Sequence, residues 1–152
     1  MKLTTKGRYA VTAMLDLAIY QDRRAVALAE IAARQGISLS YLEQLFARLR
    51  RQGLVASVRG PGGGYRLAVA PQEITVVRII DAIDEPIDAT RCAGEMNCAG
   101  EERCLTHYLW EELTALIRDF LDNMTLGDLV DQPHVREVAA RQENRLHSVA
   151  LH

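Results

Sequence analysis

Cysteine is scarce in this chain, three in 152 residues, and all three fall inside one short segment. An odd number of clustered thiols argues against a disulfide framework and points to a reducing cytoplasm. Long apolar runs are lacking as well. No stretch approaches the roughly 20 apolar residues of a membrane-spanning helix, so no membrane span is expected. The opening MKLTTKGRYA is basic but has no continuous apolar stretch and no cleavage site, so no secretory signal is expected. A nucleotide loop is missing too. The one glycine-rich run lacks the Lys-Ser/Thr pair that ends a phosphate-binding loop, and it does not open a helix. With no catalytic constellation visible, an enzyme is not expected, and an electron carrier would have no use for the first half of this chain. What remains is a chain about half apolar, long enough for one ordinary domain or two small ones.

The formal net charge of −2 hides an asymmetry. Residues 1–75 carry eleven Lys and Arg against five Asp and Glu, a net of +6, whereas residues 76–152 carry seven against fifteen, a net of −8. A basic first half suits a polyanion such as double-stranded DNA, and an acidic second half stays off it.

The periodicity of residues 1–75 predicts three helices and a hairpin. Thr5 to Tyr20 has Tyr9, Ala10, Ala13, Met14, Leu17 and Ala18 on one apolar face. Lys2, Lys6 and Arg8 crowd its start, where cations oppose the helix dipole, so phosphate oxygens are their expected partners. Ala27 to Gln35 predicts a second helix ended by Gly36. A third begins at Ser38 or Ser40 and runs to about Gln52, with Leu42, Leu45, Phe46 and Leu49 inward. Helix, tight turn and helix with a polar outer face is a helix-turn-helix pattern, whose second helix reaches base edges in the major groove. Ser38, Ser40, Tyr41, Glu43 and Gln44 are the candidates for that contact. The bland alternative for Ser38, Ser40 and Glu43 is capping, since Ser40-x-x-Glu43 matches a capping box. Two strand-like runs follow, Leu54 to Val58 and Tyr65 to Val69. Between them lie Arg59, Gly60, Pro61, Gly62, Gly63 and Gly64, a bare hairpin tip that can lie against a phosphate backbone. This is the pattern of a wing, with Arg59 placed for the minor groove.

Residues 76–131 predict a helix from Thr75 to Asp84 ended by Pro86, then the cysteine segment, then a long helix from about Thr106 to Met124. Leu105, Leu109, Leu113, Leu116, Ile117, Phe120, Leu121 and Met124 make its apolar stripe, long enough to pair with a second copy. Thr125 caps a short helix, Leu126 to Val130. Residues 132–152 are polar and unpatterned and read as a frayed tail, carrying His134, His147 and His152. The fold class expected is mainly α with a small β-wing: a winged helix-turn-helix DNA-binding domain over 1–75, then a long dimerisation helix.

Cys92, Cys98, Cys104 and His107 form the pattern Cys-x5-Cys-x5-Cys-x2-His. Thiolates and imidazole suit zinc, copper and iron–sulfur clusters, and suit calcium or magnesium poorly. Three readings compete. Buried structural cysteines fit badly among Gly, Glu, Arg and Asn. A tetrahedral Cys3His zinc site usually has closer ligand pairs than these gaps provide. A [2Fe–2S] cluster on three thiolates and one imidazole is the third, with mixed ligation known from Rieske centres. A neutral, protonatable imidazole is lost more readily than a thiolate, which suits a sensor better than a carrier.

MKLTTKGRYAVTAMLDLA, ISLSYLEQLFARLRRQGLVASVRGPGGGY, DATRC and CLTHYLW resemble the winged-helix transcription regulator family that includes the iron–sulfur cluster regulator IscR. The likeness spans residues 1 to 132. The nitric-oxide-sensing relative NsrR has a shorter first gap and no matching His. The resemblance implies a cytoplasmic homodimer on a pseudo-palindromic operator, with a [2Fe–2S] cluster on Cys92, Cys98, Cys104 and His107 supplied by the cluster assembly machinery. It implies DNA reading around Ser38, Ser40, Tyr41, Glu43 and Gln44, with the wing at Arg59 to Gly63. It also implies repression of cluster-assembly genes, with activation elsewhere left open.

Overall fold

Thr4 opens the first helix. In the computed structural model, which describes residues 4–90, 95–97, 99–100 and 102–150, its Oγ1 accepts from the Gly7 N–H at 3.2 Å and caps α1, Thr5–Tyr20. Ala10, Ala13, Met14, Leu17 and Ala18 face the core as their spacing predicts. Tyr9 does not. It stays 36% exposed and meets Tyr41 edge-on, with ring centroids 5.7 Å apart. It lies one residue outside the inward arc, where a ring with a polar tip keeps its hydroxyl near water.

Helix α2, Leu28–Gln35, ends on Gly36 at φ +66, whose N–H returns to Ala32 O at 2.9 Å. The left-handed turn brings the chain into α3, Leu39–Arg51. Ser38 is the cap here, accepting from Tyr41 N at 3.4 Å. The alternative box of Ser40 and Glu43 does not form, because Ser40 already lies inside the helix. Leu42, Leu45, Phe46 and Leu49 are all buried, each worth about 1.5–3 kcal/mol relative to exposure. Arg48, Arg50 and Arg51 occupy the last turn, where cations complement the helix dipole.

The hairpin pairs β1, Val55–Val58, with β2, Gly64–Leu67, antiparallel from Val55↔Leu67 to Val58↔Gly64. Val26 extends the pairing. It exchanges two backbone hydrogen bonds with Tyr65, at 2.9 and 2.7 Å. Gly64 makes this possible, since a Cβ there would lie 2.3 Å from Val26 O.

Thr75 caps α4, Val76–Ala82. This helix was expected to run to Asp84 and stop at Pro86, but the stop comes earlier. Asp84 takes a left-handed φ of +59, and Glu85 N returns to Ile80 O at 3.2 Å, which terminates the helix by a Schellman turn. Beyond the cysteine segment, α5 covers His107–Asp122 and α6 covers Leu126–Val130. The Thr125–Asp128 capping box closes at 3.0 Å in both directions. Backbone bonds from Val76 N to Met124 O and from Leu126 N to Ile74 O, both 2.9 Å, strap α6 beside α4.

Two apolar clusters hold these elements. The larger joins α1, α2, α3 and the wing, and draws in Ile74, Ile79, Ile83 and Leu126. The smaller packs Val76, Val77, Ile80 and Ile87 against Ile117, Leu121 and Met124.

The frayed tail expected beyond Pro133 is instead helix α7, Pro133–Ala150. Its docking is mostly polar, which is why apolar periodicity missed it. Gln142 and Gln35 exchange side-chain amide hydrogen bonds at 2.9 and 3.0 Å. Tyr20 Oη donates to Ala139 O at 3.3 Å, and Arg145 donates to Arg34 O at 3.1 Å.

Candidate nucleic-acid interface and metal-donor loop

Helix α3 sorts its residues cleanly. The apolar row is buried, while Ser38, Ser40, Glu43 and Gln44 are exposed and Tyr41 is half-buried. Ser38 serves as a cap and remains exposed, so capping and DNA contact are compatible for it. Its Oγ lies 3.0 Å from Ser40 Oγ, so the two hydroxyls form one polar patch at the start of the helix. Tyr41 leans on Tyr9, which couples that patch to the exposed side of α1.

The start of α1 holds a surprise. Arg8 is exposed, as a phosphate contact requires. Lys6 is instead engaged with a carboxylate, its Nζ 3.8 Å from Glu85 Oε1, with side-chain exposures of 28% and 12%. Thr4 Oγ1 donates a short hydrogen bond to the other oxygen of Glu85. Lys2 lies outside the described residues.

The wing tip, Arg59 to Gly62, is exposed and Gly63 half-buried. Gly63 is needed for the turn, since a Cβ would lie 2.3 Å from Val58 O. The wing is fixed to α3 by Phe46 and Tyr65, whose rings meet at 5.0 Å. It is fixed to α1 by Gln21. Arg66 donates to Gln21 O at 2.8 Å, and Leu67 N donates to Gln21 Oε1 at 2.7 Å. Arg66 therefore braces the wing, leaving Arg59 as the tip's exposed cation.

Of the four sulfur and nitrogen donors, Cys92 and Cys98 lie outside the described residues. Cys104 is half-buried, and its carbonyl accepts from His107 N at 3.2 Å. His107, the first residue of α5, is fully buried. Its Nε2 lies 2.9 Å from Glu111 Oε2, one turn along the helix. Cys104 and His107 thus sit together at the helix start, and among the described residues no third Cys, His, Asp or Glu joins them as a metal-holding group.

Both flanks of the cysteine segment are tied to helix α5 and its neighbours. Asp88 Oδ1 accepts from Thr90 N at 2.7 Å and Thr90 Oγ1 at 2.6 Å. These bonds hold its carboxyl below the usual aspartate range, against the opposing pull of desolvation. Ala89 N donates to Thr114 Oγ1 at 2.7 Å. On the far flank, Trp110 Nε1 donates to Thr106 Oγ1 at 2.9 Å. On the near side, Arg48 of α3 donates to Ile83 O at 3.0 Å.

Helix α5 divides the stripe read from the sequence. Ile117, Leu121 and Met124 pack inward against α4, whereas Leu109, Leu116 and Phe120 are exposed at 54%, 64% and 64%. Leu109, Leu113, Leu116 and Phe120 are spaced by four, three and four residues, the spacing of a helix-pairing seam.

Sequence reasoning missed the buried charge beneath the helix-turn-helix. Asp16 is 2% exposed. It accepts from Arg34 Nε at 2.9 Å, Arg34 Nη2 at 2.8 Å and Gln35 Nε2 at 2.8 Å. Arg34 also lies over the Tyr20 ring at 4.0 Å. An acid inside an apolar helix face was the available signal, but nothing local named its partner eighteen residues on.

Residues 3–132 match the Rrf2 family, described as iron-dependent transcriptional regulators. The chain belongs to the Rrf2 family. It is 60% identical over 143 residues to the HTH-type transcriptional regulator IscR of Pectobacterium carotovorum, covering 94% of this chain and 87% of that one. The IscR of Photobacterium profundum is 56% identical over 151 residues, covering 99% and 88%. Among solved structures, T. potens IscR superposes with a TM-score of 0.70 at 41% identity over 86% of each chain. CymR, the global cysteine regulator of B. subtilis, gives 0.74 at 36% identity, over 86% of this chain and 96% of CymR. As an Rrf2 protein the chain is a DNA-binding transcription regulator of winged-helix fold, a class without enzymatic activity. No helix among the described residues is long and apolar enough to cross a membrane.

Proposed function

We propose that this Rrf2 regulator is a cytoplasmic homodimer that senses iron–sulfur supply and represses cluster-assembly genes. Its four donors, Cys92, Cys98, Cys104 and His107, would hold a [2Fe–2S] cluster delivered by the assembly machinery. The donor chemistry fits: three thiolates and one imidazole suit an iron–sulfur core. The group supplies a centre whose presence depends on cellular iron and sulfide.

His107 carries the proposal. It is the buried first residue of α5, and the same helix displays the exposed row Leu109, Leu116 and Phe120. A donor and a helix-pairing face on one rigid element let loop occupancy bear on how two copies sit together. Two copies present two α3 helices, which suits half-sites one DNA turn apart on a pseudo-palindromic operator. Ser38, Ser40, Tyr41, Glu43 and Gln44 then face base edges. Arg8 serves phosphates, Lys6 does so once released from Glu85, and Arg59 with Gly60, Pro61, Gly62 and Gly63 follows the adjacent groove.

The test is an anaerobic preparation assayed for iron, sulfide and zinc, followed by DNA binding with and without the metal. About two irons and two sulfides per chain, with thiolate-to-iron absorption, is the expected result. One zinc without sulfide or colour would replace the sensor with a zinc-stabilised DNA-binding regulator, a role for which Cys104-x2-His107 has suitable spacing. Equal affinity of the loaded and empty forms for every duplex would sink the sensing.

A further inference from the structure

Lys6 belongs to the cations that the basic half of the chain offers to phosphate, yet it faces a carboxylate. Glu85 reaches it from the turn that ends α4, at 3.8 Å, and the same carboxylate takes a hydrogen bond from the Thr4 hydroxyl. That hydroxyl also caps α1 by accepting from Gly7 N. One acidic group therefore sits at the positive end of the α1 dipole, beside Lys6 of the first turn.

The placement of Glu85 is built. The residue before it, Asp84, adopts φ +59, a left-handed conformation that aspartate enters less readily than glycine. Such strain persists where the surroundings hold it. Here it is held by Glu85 N bonding back to Ile80 O at 3.2 Å and by Arg48 of α3, which donates to Ile83 O at 3.0 Å. Arg48 also lies 3.9 Å from the Asp84 carboxylate. The turn over residues 83–85 thus touches both α1 and α3. Five residues on, Thr90 binds Asp88, and Ala89 binds Thr114 on α5.

We infer that Glu85 is a positioning residue that holds Lys6 away from DNA phosphate, a restraint set at the root of the cysteine loop. This rests on the DNA-binding role proposed above for Lys6. A lysine matched by a carboxylate releases no counterion on meeting DNA. A freed lysine releases about 0.9 per contact in the log–log salt slope. Residues 86–91 are the covalent link between this restraint and Cys92.

The experiment uses the full-length apo protein and a duplex enriched by in vitro selection on the wild type. Binding is followed by fluorescence anisotropy across a salt series. Glu85→Gln is expected to tighten binding roughly 3–10-fold at about 100 mM salt and to steepen the slope by about 0.9 per protomer. The gain is expected to vanish in Glu85→Gln combined with Lys6→Gln, a reversal that a general effect on packing would not produce. Equal or weaker binding by Glu85→Gln overturns the inference, as does a gain that survives the loss of Lys6. Should that variant fail to fold, Glu85→Asp withdraws the carboxylate by one methylene, and the same outcomes apply. If the wild type selects no duplex, the DNA-binding role of these residues falls and the restraint with it. If the wild type binds and the variants match it, the restraint alone is lost.

Discussion

Replacing Asp16 with alanine should destabilise the helix-turn-helix more than any surface change. Asp16 is nearly inaccessible to solvent and accepts three hydrogen bonds between 2.8 and 2.9 Å, two of them from one guanidinium. Truncation leaves Arg34, whose side chain is 12% exposed, with a charge and two donors unmatched. Breaking a buried pair on one side costs about 3–5 kcal/mol. Stacking of Arg34 on Tyr20 and its residual exposure place this case near the lower end, at about 3 kcal/mol. That is a large share of the roughly 5–15 kcal/mol that holds a typical domain. Gln35 would lose its acceptor as well, loosening the amide pair with Gln142 that docks α7. The assay is urea unfolding followed by circular dichroism, at fixed protein concentration because association shifts apparent stability. Asp16→Asn serves as a control that keeps the shape but turns an amide donor towards a cation. A loss below about 1 kcal/mol for Asp16→Ala would mean that the buried pair is no stronger than an exposed one, refuting the reasoning.

Three further outcomes are expected. Leu116→Glu with Phe120→Glu places two charges on the exposed row of α5 and should shift the protein to monomer by sedimentation, with the helical circular dichroism of the monomer retained; an unchanged dimer would remove this row from the interface. Gly64→Ala puts a Cβ 2.3 Å from Val26 O, so the β2–Val26 pairing must open, costing about 1–3 kcal/mol and weakening DNA binding through the displaced wing; unaltered stability would count against the close approach. Asp88 has its pKa lowered in the fold, chiefly by Thr90, so its contribution is present above the unfolded aspartate value of about 3.9 and is lost as pH falls through the lower folded value. The wild-type urea midpoint should therefore fall more steeply than that of Asp88→Asn from pH 5 downward, and parallel curves would contradict the assignment.

Much of this protein was determined by local sequence. Helices α1 to α3, the glycine stop at Gly36, the wing and the Thr125 cap follow from patterns within a few residues, where backbone geometry and apolar spacing act directly. Cys92, Cys98, Cys104 and His107 were legible as a candidate donor set by residue type alone, because thiolate and imidazole chemistry does not depend on the fold. Tertiary structure alone decided the rest. A polar helix such as α7 has no apolar stripe to announce it, and its amide and carbonyl partners lie over a hundred residues away. Asp16 is a buried carboxylate that only the nearness of the half-buried Arg34 makes tolerable. The α5 stripe reads as one surface in sequence, yet packing against α4 consumes Ile117, Leu121 and Met124 and leaves Leu109, Leu116 and Phe120 exposed. Lys6 reads as a free cation until the left-handed turn at Asp84 brings Glu85 to it from 79 positions along the chain. Spacing within a helix is fixed by its own geometry, whereas the meeting of charges from distant segments depends on how the whole chain packs.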